Sequence, residues 1–238
     1  MTSNPPKINL ILRCLPQKDW ESIQTHVEEV HLELGLVLSE PSVKMPYVYF
    51  PINSLVSILY GLENGATAEI GIIGNEGVVG ITVFLGGEST ISRAVVQSAG
   101  RAYRLRSSVL LDLFNSSTQA MHLLLRFTQA LITQMSQTAV CNRHHTIDQQ
   151  LCRWLLLSID RLSGSELVMT QDLIANMLGV RREGVTEVAG KLQEAGYISY
   201  SRGHITVLDR EKLEHRTCEC YGVVKREYDR LLPERYAT

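Results

Sequence analysis

The chain has 238 residues, 45% of them hydrophobic and 20% charged, with a formal net charge of −2. That is enough apolar material for one large or two moderate cores, and the near-neutral balance excludes a globally basic polyanion binder and a highly charged disordered chain. The most apolar stretches are broken within a few residues by Arg, Ser or Gln, and Met1-Thr2-Ser3-Asn4-Pro5-Pro6 carries no apolar signal core, so no membrane span or export signal is expected and the expected compartment is the cytoplasm.

Taken in chain order, Lys7 to Val30 reads as a short helical opening, with Leu10, Ile11, Leu15, Trp20, Ile23 and Val27 apolar. Up to about Arg106 the sequence is then rich in Gly and Pro, separating short runs of β character. Tyr47–Phe50, Ser54–Tyr60, Ala68–Ile73 and Ala94–Gln97 read as strands, with Glu63-Asn64-Gly65 as a tight turn between two of them. An antiparallel sandwich or roll follows from that pattern.

From Ser107 the texture changes. Gly is absent until Gly164, and Met121, Leu124, Leu125, Leu131, Met135 and Ala139 recur at helical spacing, which predicts a long helix. Such a stripe suits either the sheet domain or the same helix of a second copy, as in a short coiled coil. A second helix, Thr146 to Leu162, ends at Ser163-Gly164-Ser165.

Thr170 is a good N-cap for a helix whose Leu173, Ile174, Met177 and Leu178 share one face, and Gly179 ends it. Another begins close to Arg181, with Val185, Val188, Ala189 and Leu192 at i, i+3, i+4 and i+7, and stops at Gly196. Two short helices joined by Leu178-Gly179-Val180 make a helix-turn-helix. The outward face of the second presents Arg181, Arg182, Glu183, Thr186 and Glu187, where a recognition helix meets base edges. Tyr197–Tyr200, a Ser201-Arg202-Gly203 turn and His204–Val207 then read as a hairpin wing. Duplex DNA is the expected partner, with Arg181, Arg182, Glu183 and Thr186 reading bases and Thr170, Gln171, Lys191 and Arg202 on the phosphate backbone. Four Lys/Arg against four Asp/Glu between Thr170 and Ile205 mean that local geometry, not net charge, carries this expectation. A protein-binding helical pair is the other reading of the same segment.

Five cysteines, Cys14, Cys141, Cys152, Cys218 and Cys220, are scattered without a CxxC pair and read as free thiols; no metal ligand set, cofactor or catalytic residue is expected. Cys218-Glu219-Cys220 is a weak motif read as structural. A metal-binding cupin would need His and carboxylate residues together on strands, but His144-His145 falls in the helical connector and His26 and His31 precede the roll.

Across nearly its whole length the sequence resembles the Crp/Fnr superfamily, named for the cyclic-AMP receptor protein and the fumarate and nitrate reduction regulator. The resemblance rests on Tyr47–Pro51, Glu69–Gly80, Leu151-Cys152-Arg153-Trp154-Leu155-Leu156 within Ile147–Leu162, and Thr170–Ala175 through Arg182-Glu183. It implies an α+β fold: a jelly-roll-like antiparallel β-roll sensor domain over residues 1–117, a dimerisation helix over 118–145 and a winged helix-turn-helix domain over 146–238. It further implies a homodimeric transcription regulator that meets RNA polymerase and answers to a small-molecule effector. Arg182 and Glu183 match the Arg-Glu pair that reads bases in the cyclic-AMP receptor protein, whereas Glu187 stands where that protein uses an arginine. In nucleotide-binding members a Gly-Glu pair holds the ribose and an Arg followed by Ser or Thr holds the cyclic phosphate. The matching effector-pocket positions here are Gly77, Val78, Arg93 and Ala94, so cyclic AMP and cyclic GMP are not the expected effectors. Neither an N-terminal cysteine quartet nor a haem-ligand motif accompanies the resemblance.

Overall fold

A computed structural model describes residues 8–63, 65–87, 89–162 and 164–232. The N-terminal half runs α1 (Leu10–Arg13), α2 (Gln17–Ile23), β1 (Glu28–Leu32), β2 (Val37–Ser39), β3 (Tyr47–Pro51), β4 (Leu55–Gly61), β5 (Thr67–Ile73), β6 (Arg93–Ser98) and β7 (Gly100–Arg106). Then come α3 (Ser107–Ser116), α4 (Thr118–His144), α5 (Ile147–Ile159), β8 (Glu166–Val168), α6 (Gln171–Leu178), α7 (Arg182–Glu194), β9 (Ile198–Ser201), β10 (His204–Val207), α8 (Arg210–Arg216) and α9 (Glu219–Leu231). Residues Met1–Pro6, Asn64 of the expected turn and Ser163 of the expected linker lie outside the described residues.

The helical opening expected through Val30 is corrected. Pro16, which has no N–H to donate, separates two short helices, and from Glu28 the chain is extended. Strand β1 pairs with β7, which sets Glu28 against Arg104 at 2.8 Å and Glu29 against Arg101 at 2.9 Å. That partner lies more than seventy residues away, so the helical spacing of the local sequence could not reveal it.

All ladders are antiparallel, in sheets ordered β1-β7-β3 and β2-β6-β4-β5. Alternate residues such as Val48 and Phe50, Val56 and Ile58, and Ala94 and Val96 are buried, as a strand with one apolar face requires. They share one core with Leu124, Phe127 and Leu131 of α4.

Helix α4 has 27 residues, so it is about 40 Å long. Ser117 caps its N-terminus by accepting from Ala120 N. The apolar stripe expected to form one seam divides into two: Leu124 and Leu131 are buried in this chain's own core and Met121 and Met135 are half-buried, while Leu125, Ile132, Ala139 and Val140 are exposed. The exposed apolar residues Leu125, Ile132 and Ala139 recur seven residues apart, on a face of the helix separate from Leu124 and Leu131.

A capping box at Thr146 and Gln149 starts α5, whose buried residues tie the two halves together. Trp154 Nε1 donates to Glu69 Oε1 of β5 at 3.0 Å, and Arg161 Nε donates to Glu76 Oε1 at 2.7 Å. The third sheet, β8-β10-β9, gives the expected hairpin wing an extra strand.

Candidate nucleic-acid interface

Thr170 accepts from Leu173 N and caps α6, and Gly179, at φ +66°, ends it in the left-handed conformation that glycine adopts without penalty. Helix α7 buries Val185, Val188, Ala189 and Leu192 and leaves Arg181, Arg182, Glu183 and Thr186 exposed at its first turns. All four expected base readers thus share the solvent face of the helix. Arg182 Nε lies 3.5 Å from Asp172 Oδ1, with both side chains more than half exposed. A pair that open to water is worth at most about 1 kcal/mol, so the guanidinium is free to exchange Asp172 for another acceptor.

The wing turn holds Arg202 at φ +51° and Gly203 at φ +83°, the two positive values of a tight two-residue hairpin. Arg202 is a long side chain kept where Asn or Gly is easier, and it projects beside the helix pair. Thr170, Gln171, Asp172, Arg182, Tyr200, Arg202 and Gly203 line one concave groove of about 330 Å³. Tyr200 braces it by donating to Met169 O at 2.9 Å, and partial burial raises the phenol pKa. Thr186 Oγ1 donates to Gln171 Oε1 at 2.6 Å, linking the two helices. Of the expected backbone contacts, Thr170, Gln171 and Arg202 meet in this groove. Lys191 does not: it lies further along α7, held by Glu187 at 2.6 Å. Glu187, opposite in charge to the arginine of the cyclic-AMP receptor protein, is kept below the usual carboxylate range by that lysine.

A cavity of about 180 Å³ lies inside the roll, bounded by β-strand residues such as Ile58 and Ile70 and by Leu131 and Met135 of α4. The residues that line it are uncharged, and the buried hydroxyls of Ser39 and Thr82 in it have no hydrogen-bond partner among the described residues. Ala94 lines this cavity, but the other three expected effector positions do not. Gly77 packs on the Phe127 ring, Val78 is fully buried, and Arg93 is exposed in an ion pair with Glu40 at 2.8 Å. The pocket positions matched by resemblance are therefore replaced by packing residues and a surface ion pair.

Between roll and reader, buried Glu69 accepts from Ser57 and Trp154, and burial pushes its carboxyl up to about 7. At the far end of α4, Cys141 and His145 meet Cys218 and Cys220 at the start of α9, with one potential ligand atom from each lying within 4.8 Å of all the others. The reading of scattered, unconnected thiols is corrected here: i, i+4 spacing puts Cys141 and His145 on one helix face, and folding brings the CxC pair to them. In the sequence, the signals were the Cys141-x-x-x-His145 spacing and the Cys218-Glu219-Cys220 pair, each weak alone.

A family model described as the Crp-like helix-turn-helix domain matches residues 149–216. No curated protein matches the chain in sequence. Among solved structures, FixK2 from Bradyrhizobium japonicum is similar at 16% identity and a TM-score of 0.67, with 81% of this chain and 98% of that one covered. TTHA1359, a CRP/FNR-family transcriptional regulator from Thermus thermophilus, is 22% identical with a TM-score of 0.62, covering 79% of this chain and 97% of that one. The c-di-GMP responsive global regulator CLP of Xanthomonas campestris is 16% identical with a TM-score of 0.63, covering 81% and 99% respectively. Helix, turn, helix and wing in that order, behind an antiparallel roll and a long helix, agree with these matches: the chain carries a Crp-like helix-turn-helix domain and has the fold of the Crp/Fnr regulators.

Proposed function

We propose that this chain is a sequence-specific transcription regulator that binds an inverted-repeat operator as a homodimer. The observation that carries the reading is the shared groove in which the exposed first turn of α7 and the wing arginine, Arg202, flank the N-terminus of α6. A helix N-terminus and the exposed Arg202 guanidinium suit phosphate, while Arg182 and Glu183 in the first turn of α7 suit guanine and cytosine edges. Pairing two copies along Leu125, Ile132 and Ala139 would set two recognition helices about 34 Å apart, the repeat of successive major grooves.

The effector reading follows from the roll cavity. An uncharged lining cannot neutralise a cyclic phosphate, and burying an unpaired anion is costly. A small, largely apolar molecule with one or two polar atoms for Ser39 and Thr82 fits instead. Contact with Leu131 and Met135 gives its binding a direct route to α4, and so to the spacing of the two readers. RNA polymerase is the partner if the bound regulator activates.

The test is selection of bound sequences from randomised duplexes by the purified full chain, with Arg182→Ala in parallel. Enrichment of an inverted repeat, blurred at one position per half-site in the variant, is the expected result. Absence of enrichment at low salt, with and without cell extract to supply an effector, would replace this reading with a protein-binding module.

A further inference from the structure

We propose that Cys141, His145, Cys218 and Cys220 form a four-ligand site for a thiophilic divalent cation of the zinc class, which fastens the end of α4 to the start of α9. Cys141 lies in the last turn of α4 and His145 is its C-cap; Cys218 is the N-cap of α9 and Cys220 lies in its first turn. The two pairs are separated by more than seventy residues of sequence, yet four potential ligand atoms converge within 4.8 Å.

The spacings suit tetrahedral coordination. Cys141 Sγ and Cys218 Sγ are 3.5 Å apart, and Cys220 Sγ is 3.6 Å from His145 Nδ1. A tetrahedron with zinc–sulfur bonds of about 2.3 Å and a zinc–nitrogen bond of about 2.0 Å has edges of roughly 3.8 Å between sulfurs and roughly 3.5 Å between sulfur and nitrogen. Three sulfurs and one imidazole select zinc-like ions over magnesium or calcium, and a complete set of four is the pattern of a structural site.

The surroundings fit as well. His145 Nε2 faces the Glu219 carboxylate at 3.4 Å, the outer partner that orients a ligating imidazole and leaves Nδ1 for the metal. Cys141, Cys218 and Cys220 are buried as a cluster of their own, separate from the main hydrocarbon core. Three thiolates, a neutral imidazole and a divalent ion carry one net negative charge. Buried Arg153, close enough to act electrostatically on Cys141 and Cys220, donates to Thr138 and has an Nε without a partner among the described residues, so it supplies a nearby compensating cation.

The full-length protein, purified under reducing conditions without added metal, is expected to hold about one zinc per chain after dialysis. Cobalt added to metal-stripped protein should give thiolate-to-cobalt charge transfer in the near ultraviolet and tetrahedral ligand-field bands in the visible. The double variant Cys141→Ser/Cys218→Ser should lose stoichiometric metal, whereas Cys14→Ser, outside the cluster, should keep it. Chelation should lower the Tm of the wild type and leave the double variant unchanged. Wild-type protein that retains no zinc and yields no thiolate–cobalt absorption overturns the proposal, even if the serine variant fails to fold. Recovery of a Cys141–Cys218 disulfide in freshly lysed cells, together with absence of metal, overturns it in favour of a redox pair.

Discussion

A Cβ on Gly77 would lie 2.3 Å from Cε2 of Phe127, so the turn after β5 meets the middle of α4 backbone to ring. Phe127 is fully buried and its ring cannot swing away cheaply. Gly77→Ala is therefore expected to destabilise the protein by about 1–3 kcal/mol, the usual range for overpacking a filled core. Denaturant unfolding measures it; an unchanged midpoint would mean that the two elements are not in close contact in solution.

The Glu69 carboxyl sits between roll and reader with its pKa raised, first of all by burial, to about 7 from an ordinary 4.5. Hydrogen bonds from Ser57 and Trp154 and the charges of Arg153 and Arg161 pull the other way without overcoming that burial. The folded state thus prefers the neutral acid. Its contribution is complete below the ordinary value and is lost as pH rises through about 7, by an amount on the order of 3 kcal/mol. The expected outcome is a Tm that falls between about pH 4.5 and about pH 7 in the wild type and changes much less in Glu69→Gln. Parallel pH profiles for the two proteins would remove Glu69 as the cause.

Arg161 and Glu76 form a nearly buried ion pair at 2.7 Å, with side chains 6% and 13% exposed. Removing one partner leaves the other charge without compensation, so Arg161→Met should cost about 3–5 kcal/mol. The double variant with Glu76→Gln should recover part of that loss, and a thermodynamic cycle reads the coupling directly. Strict additivity would show that the pair is broken in solution.

Arg202 occupies a left-handed position at the wing turn, at φ +51°. Arg202→Gly relieves that strain and is expected to raise stability by up to about 1 kcal/mol while weakening DNA binding uniformly across sequences. Loss of one phosphate contact should lower the slope of log affinity against log salt by about 1. Salt titrations of both proteins on one duplex provide the check, and an unchanged slope places Arg202 off the backbone.

Leu125 and Ile132 are 39% and 55% exposed along α4. Leu125→Glu/Ile132→Glu should leave the fold of the single chain intact and turn a dimer into a monomer in sedimentation, with loss of operator binding. A dimer that survives both charges must be paired through another surface.

Strands β3 to β6 and the helix pair α6–α7 were legible because their signals are local: period-two alternation, an N-cap at Thr170, and glycine stops at Gly179 and Gly196. Strand β7 escaped notice because Arg101, Arg104 and Arg106 crowd a strand that is central in its sheet. Its arginines gain carboxylate and aromatic partners only when β1 and β3 pair with it: Arg101 and Arg104 meet glutamates of β1, and Arg104 and Arg106 lie over Tyr47. Strand β1 is hidden in the sequence by the same dependence. In the candidate interface, the residues expected to read bases could be placed on the solvent face from helical phase, but the surroundings of the expected effector positions depend on neighbours from other elements.

The sequence by itself determined the order of roll, long helix and winged reader, and which face of α7 meets solvent, because those follow from backbone preferences and side-chain periods within a dozen residues. Tertiary structure alone decided which stripe of α4 is core and which is free, that the roll encloses an uncharged cavity, and that Cys141 and His145 meet Cys218 and Cys220. Those outcomes depend on packing between segments far apart in the chain, where shape and burial rather than local spacing choose the partner.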